Sequence, residues 1–161
     1  MSALPVEVRS MSDNLIFMMG EFEAEFPADL MYAKNHMWAM TSGDVARFGF
    51  SAYAVRLLQD VYFLDWTVEA PVDFSEGQEI GSIESKKAES SLYAPGVGRL
   101  LQLNEALLED PAAINTDKYQ SGWLFEMTVS SVELLTAKEY LALLESVWNK
   151  TQRTIKGQLN E

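Results

Sequence analysis

The residues with the clearest chemical potential lie in the run Gly81-Ser-Ile-Glu84-Ser-Lys86-Lys87-Ala-Glu89-Ser-Ser91-Leu-Tyr93-Ala-Pro95-Gly-Val-Gly98-Arg-Leu100. Two apolar-rich segments flank a short polar peak, and the second ends at a Pro/Gly turn. That is the pattern of a β-hairpin, with Lys87 at its tip. The ordinary reading of a tip lysine is a solvated surface charge. The sharper reading is an amine that a modifying enzyme can reach and acylate, with loss of the ammonium charge.

The rest of the chain offers little competing chemistry. There is one histidine, His36, and no cysteine. Thiolate metal sites, disulfides and cysteine nucleophiles are therefore absent, and a histidine-based metal site lacks ligands. No metal site is expected. A Ser-His-Asp triad would have to use His36, which sits in a strand-like run and has no nucleophile elbow to serve. His36 reads as a structural histidine, and no residue is assigned a catalytic role. Gly96-Val-Gly98 lacks the third glycine and the following helix of a dinucleotide fingerprint, so it reads as a turn. The 24 acids show no spacing that favours a catalytic carboxylate pair, and read as a solvated surface.

At 161 residues and 48% hydrophobic composition, the chain is long and apolar enough for one domain with a sizeable core. No apolar run reaches the length of a membrane span. The short run Leu15-Ile-Phe-Met-Met19 lies among acids and does not read as a signal peptide. A net charge of -12 repels nucleic acid and anionic lipid, and suits docking to basic surfaces of partner proteins as well as simple solubility. The lack of cysteine fits a reducing cytosol.

These residues must be positioned by short elements. In residues 1–26, Leu15, Met18, Met19, Phe22 and Phe26 recur at helical spacing. Ser12 or Asp13 would cap such a helix and Pro27 would end it, so a helical N-terminal extension is expected. Residues 28–50 read as strands turning at Ser42-Gly-Asp44, and Ser51 caps a short helix through Leu58. Asp60–Trp66 is strongly β-prone, and residues 67–78 read as a loop or edge segment. Gly98–Leu103 and Gly122–Val129 are further strands. Thr136-Ala-Lys-Glu139 is a capping box that opens a helix with Tyr140, Leu143, Leu144, Val147 and Trp148 on its apolar face. A polar, frayed tail is expected over 151–161. Many short strands and one terminal helix imply a small β-barrel or sandwich.

The ordered residues also carry a resemblance. Gly81-Ser-Ile-Glu-Ser-Lys-Lys87-Ala, Tyr93-Ala-Pro95 with Gly98, Asn104-Glu-Ala-Leu107, Pro111, Ile114-Asn115, Tyr119 and Gly122-Trp-Leu124 resemble the glycine cleavage system H-protein family. His36-Met-Trp38, Gly49, Tyr53-Ala54 and Leu134-Leu135 through Leu143-Leu144 extend it over about residues 28–148. The resemblance implies a mainly β barrel-sandwich hybrid with short helices and a C-terminal helix, occupying residues 27–150. It implies that Lys87 carries lipoate through an amide, and that Glu84 and Gly98 help a lipoate ligase or lipoyltransferase to recognise the hairpin. The implied protein is a carrier and not an enzyme: a bacterial, cytoplasmic, monomeric shuttle. It would move an aminomethyl group and reducing equivalents between glycine decarboxylase (P-protein), aminomethyltransferase (T-protein) and dihydrolipoamide dehydrogenase (L-protein).

This chain departs from the family pattern at three positions. Met37 replaces the acid between His and Trp, Ser91 replaces an Asp four residues beyond the modified lysine, and Lys86 replaces a Val. The family's first two residues help line a cleft that shelters the cationic aminomethyl group, for which methionine supplies no charged partner. An H-like lipoyl carrier serving a lipoate relay or another redox complex, without aminomethyl transfer, is therefore the second reading.

Overall fold

The computed structural model describes residues 14–160, with 150–160 as backbone only. The described chain is mainly β. In order it runs β1 (Leu15–Met19), β2 (Phe22–Phe26), β3 (Met31–Tyr32), β4 (Met37–Ser42), β5 (Val45–Phe50), α1 (Ala52–Leu58), β6 (Val61–Trp66), β7 (Val72–Phe74), β8 (Glu79–Ser85), β9 (Glu89–Tyr93), β10 (Gly98–Leu103), α2 (Ala106–Glu109), α3 (Ala113–Thr116), β11 (Phe125–Thr128) and α4 (Ala137–Asn160).

Three antiparallel sheets form. A six-stranded sheet has the order β3-β4-β5-β11-β10-β7, a three-stranded sheet β6-β8-β9, and β1 pairs with β2 alone. None closes on itself, so the barrel-sandwich expectation is met as a sandwich. Its core joins residues of the two larger sheets, among them Phe48, Phe125 and Leu100 from one and Leu64, Ile80, Ile83 and Leu92 from the other. Phe48 and Phe125 stack at 5.4 Å between centroids, and Phe74 and Trp66 meet Phe125 edge-on.

A second apolar cluster forms where β1–β2, α1 and α4 meet. Phe17, Phe26, Tyr32, Trp38, Tyr53, Tyr140 and Leu144 are buried there. The capping box at the start of α4 is formed: Thr136 N donates to Glu139 Oε1 at 2.8 Å, and Glu139 N donates to Thr136 Oγ1 at 3.2 Å.

The N-terminal segment corrects one expectation. Residues 15–26 are a hairpin and not a helix; the caps expected at Ser12 or Asp13 lie outside the described residues. Gly20 takes φ +66 and the register pairs Met19 with Phe22, so the chain reverses over Gly20-Glu21. Alternation then buries Phe17, Met19, Ala24 and Phe26 on one face. An apolar-rich run broken by one glycine satisfies helical and strand spacing alike, and packing against α1 and α4 decides for the strand. At the other end, the tail expected to fray is helical through Asn160. Residues 113–116 make one turn of helix.

A single substitution separates hairpin from helix. In a helix, Gly20→Ala would stabilise by up to about 1 kcal/mol. At a left-handed turn position it costs about 1 kcal/mol instead. Chemical denaturation of Gly20→Ala is expected to show destabilisation.

Candidate functional site

The hairpin β8–β9 is built as its pattern suggested. Glu84 pairs with Glu89 across it, leaving Ser85-Lys86-Lys87-Ala88 as the turn. Buried Ser85 closes the turn. Its N–H donates to Ala88 O at 2.9 Å and its hydroxyl to the same oxygen at 3.0 Å. Ser85 Oγ in turn accepts from Ala88 N at 3.2 Å and Lys87 N at 3.3 Å. Lys86 and Lys87 are both exposed.

The tip is also fastened from outside. The last carbonyls of a helix have no partner within it. At the end of α1, Leu58 O accepts from Lys87 N at 3.3 Å, and Gln59 O accepts from Lys86 N at 2.9 Å. Gln59 and Asp60 take φ +53 and +48, unusual values for side-chain-bearing residues, and they carry the chain out of the helix. Sequence reasoning missed this clamp. Gln59-Asp60 is not a turn signal of the Gly or Asn type, so nothing in the local pattern marks it.

Glu84 is half-buried near the tip, in a cross-strand row with Phe63 and Glu89. Gly98 is elsewhere: it lies in the six-stranded sheet, in register with Phe74. A Cβ there would collide with Thr128 O and sit 2.6 Å from the Met127 methyl group. The smallness of Gly98 thus has a packing cause in the approach of β10 to β11.

The altered family positions are separated by burial. Met37 is 2% exposed and belongs to the main apolar core, whereas Ser91 is exposed on β9. A carboxylate at position 37 with the methionine's placement would be buried among apolar side chains, so it would not line an open cleft.

His36 was expected within a strand. It stands just before β4 at φ +72, where His36 N donates to Ala33 O and its own carbonyl accepts from Ser51 N at 3.0 Å. Its Nδ1 lies 2.8 Å from the Tyr140 hydroxyl, which lies 2.9 Å from Ser51 Oγ. Ser51 caps α1, accepting from Ala54 N. Two arrangements give the tyrosine proton an acceptor: Ser51 donates to Tyr140 and Tyr140 to an unprotonated Nδ1, or Nδ1–H donates to Tyr140 and Tyr140 to Ser51 Oγ. Burial pushes the His36 pKa below its usual value and the Tyr140 pKa well above its own. The histidine is a structural link, as expected. Among the described residues, no group of three or more His, Cys, Asp or Glu is placed to hold a metal.

A β-sandwich that clamps the root of an exposed hairpin lysine has the architecture of a carrier domain. The comparisons specify which kind. The model of the Glycine cleavage H-protein family matches residues 30–147. Relatives named glycine cleavage system H protein include one from Crocosphaera subtropica, 39% identical over 76% of this chain and 96% of that protein. Another, from Halothermothrix orenii, is 37% identical over 75% and 97%. The crystal structure of a glycine cleavage system H protein from Mycobacterium marinum superposes with a TM-score of 0.65 at 37% identity, covering 73% of this chain and 98% of that one. The chain belongs to the glycine cleavage H-protein family. The β1–β2 hairpin precedes the matched residues.

The His36 link sets a pH dependence. With a folded-state pKa below the unfolded value of about 6.5, the unfolded chain binds the extra proton first, so stability is lost as pH falls. The loss begins near the unfolded pKa and levels off below the folded one. Unfolding free energy measured from pH 7.5 down to 5.5 is expected to fall more steeply in the native chain than in His36→Asn, which tolerates the positive φ and does not titrate there.

Proposed function

We propose that this chain is the lipoyl carrier of a glycine cleavage system, with lipoate joined by an amide to Nζ of Lys87. One observation carries the reading: Lys87 is exposed on a four-residue turn whose amides are held by the turn itself and by the end of α1. Its side chain makes no ion pair among the described residues. An amine so placed fits acylation by a lipoate ligase or lipoyltransferase.

Bound lipoate would supply a reversible disulfide at the end of a jointed arm, which explains why the chain needs no cysteine of its own. The protein residues do the positioning. The clamped turn fixes the root of the arm, so the arm's length sets the effective concentration at each partner's active site. Glu84 offers the modifying enzyme a charged handle. Gly98 is carried over from the family resemblance, and its packing role explains its small size without that recognition. The partners are glycine decarboxylase, aminomethyltransferase and dihydrolipoamide dehydrogenase. The acidic row at Glu84 and Glu89 suits basic rims around their entrances. The chain carries the aminomethyl group and reducing equivalents and leaves the bond chemistry to these enzymes. It works as a monomer in the bacterial cytoplasm. Among the described residues no helix is long and apolar enough to cross a membrane. Carriage for another redox system is not favoured, because the relatives named above are all glycine cleavage proteins.

Lipoylated chain mixed with glycine decarboxylase is expected to stimulate glycine-dependent exchange of labelled bicarbonate in a saturable way. Lys87→Arg keeps the charge without an acylatable amine and is expected to reduce stimulation to background, while Lys86→Arg retains it. Absence of stimulation at high concentrations of lipoylated chain would defeat the glycine cleavage assignment.

A further inference from the structure

The hairpin β1–β2 lies outside the residues that the family model matches, 30–147. Its inner face is used: Phe17, Met19, Ala24 and Phe26 are buried, and Phe17 meets Trp148 of α4 edge-on. One of its edges is not. Among the described residues β1 has β2 as its only strand neighbour.

The turn decides which backbone groups that edge offers. Gly20 takes φ +66 in a two-residue turn between Met19 and Phe22. Such a turn closes with a hydrogen bond from Phe22 N to Met19 O, and hydrogen-bonded pairs then alternate along an antiparallel ladder. Leu15, Phe17 and Met19 therefore bond to β2, and Ile16 and Met18 aim their N–H and C=O groups away from it. Among the described residues no other segment takes up these four groups. Native proteins blunt such edges with charge, proline or a bulge. β1 is Leu15-Ile-Phe-Met-Met19, without charge or proline, and its register runs unbroken. Ile16 and Met18 are 50% and 46% exposed.

A row of donors and acceptors at strand spacing is completed by an extended chain. Charge selects the composition of that chain. On the outer face Glu25 and Glu23 stand cross-strand from Ile16 and Met18, and Glu21 sits in the turn. Glu25 accepts from Asn14 and acts on Lys118. Glu21 and Glu23 are exposed and make no ion pair among the described residues. Arg56 lies over the ring of Phe22, which alternation puts on the opposite face. A strand added to β1 runs two spacings of about 4.8 Å from β2. A lysine or arginine on it can lay its stem over Ile16 or Met18 and bring its charged head to Glu23 or Glu25. The net charge of -12 repels an acidic segment.

We propose that the free edge of β1 takes up, as a third strand, an extended segment of a partner protein that is basic on the outer face and apolar on the inner. The uptake is independent of Lys87 acylation. Tyr119 ties β2 to α1, donating to Glu25 O and accepting from Ala52 N, and α1 holds the hairpin tip. On the carrier reading above, a client enzyme gripped at β1 meets the lysine from a set position and at raised effective concentration.

The test uses the full unmodified chain, labelled with nitrogen-15, and an acetylated, amidated seven-residue peptide that alternates lysine and valine. The peptide is expected to shift the Ile16 and Met18 amide signals to saturation and to slow their hydrogen exchange. The same peptide with glutamate for lysine, or with the backbone nitrogens of its two central lysines methylated, is expected to bind about tenfold more weakly, the scale of one or two lost hydrogen bonds. Glu23→Gln weakens binding about threefold, the scale of an exposed ion pair. Met18→Pro removes a donor that β2 does not use, so it keeps the hairpin and loses the peptide. Should that variant lose native dispersion, the methylated peptide on the native chain decides. The proposal is overturned by shifts that never saturate, by equal binding of the glutamate or methylated peptide, or by undiminished binding in Glu23→Gln or in folded Met18→Pro. It is overturned as well if the Ile16 and Met18 amides already exchange slowly in the free chain, covered by a second copy or by residues 1–13.

Discussion

Two sets of unmet hydrogen bonds are satisfied against each other where the β8–β9 turn meets the end of α1. The C-terminus of α1 leaves carbonyls without intrahelical partners, and the β8–β9 turn leaves amides without cross-strand ones. Leu58 O and Gln59 O take Lys87 N and Lys86 N. Without that exchange, Leu58 O, Gln59 O and Lys86 N would depend on water, and Lys87 N and the turn would be held by Ser85 alone. With it, the lysine backbone is tied to a helix as well as to its own hairpin. A carrier needs this combination of a fixed root and a mobile arm, because reach is useful only from a defined origin.

The clamp is only as firm as α1, and α1 is secured at its other end. Ser51 caps its first turn and joins Tyr140 of α4, which joins His36. Tyr119 adds a second tie, accepting from Ala52 N and donating to Glu25 O of β2. A line of contacts therefore runs from the C-terminal helix and the N-terminal hairpin, through α1, to the tip. It gives the appended hairpin and the terminal helix a part in positioning the turn. It also gives His36 a structural role: the ring is hydrogen-bonded to Tyr140 within an aromatic cluster, and its backbone occupies a left-handed position that histidine tolerates better than a β-branched residue would.

The hairpin at 81–93 was legible because its signal is local: apolar alternation, a polar peak and a Pro/Gly stop, and the family resemblance proposes Lys87 as its modified residue. The capping box at Thr136 and Glu139 and the cap at Ser51 were legible for the same reason. The N-terminal hairpin was not, since Leu15-Ile-Phe-Met-Met19 lacks polar alternation and its neighbours fall at helical intervals. Only Gly20 hinted at the reversal. The clamp was invisible because it joins residues about thirty positions apart through backbone atoms, which leave no trace in side-chain identity. Met37 shows a different limit. The sequence revealed the lost acid, but only the fold shows that the residue belongs to the core, so the substitution cannot be read as a simple loss of one cleft contact.

The adjacent lysines at the tip provide an internal control for the central claim. The chain, incubated with a lipoate ligase, ATP and lipoate, can be digested and the peptide spanning Lys86 and Lys87 sequenced by fragmentation in a mass spectrometer. The account predicts the lipoyl group on Lys87 and an unmodified Lys86. Modification of Lys86, or a chain left unmodified while a known lipoyl domain in the same tube is fully labelled, would contradict it.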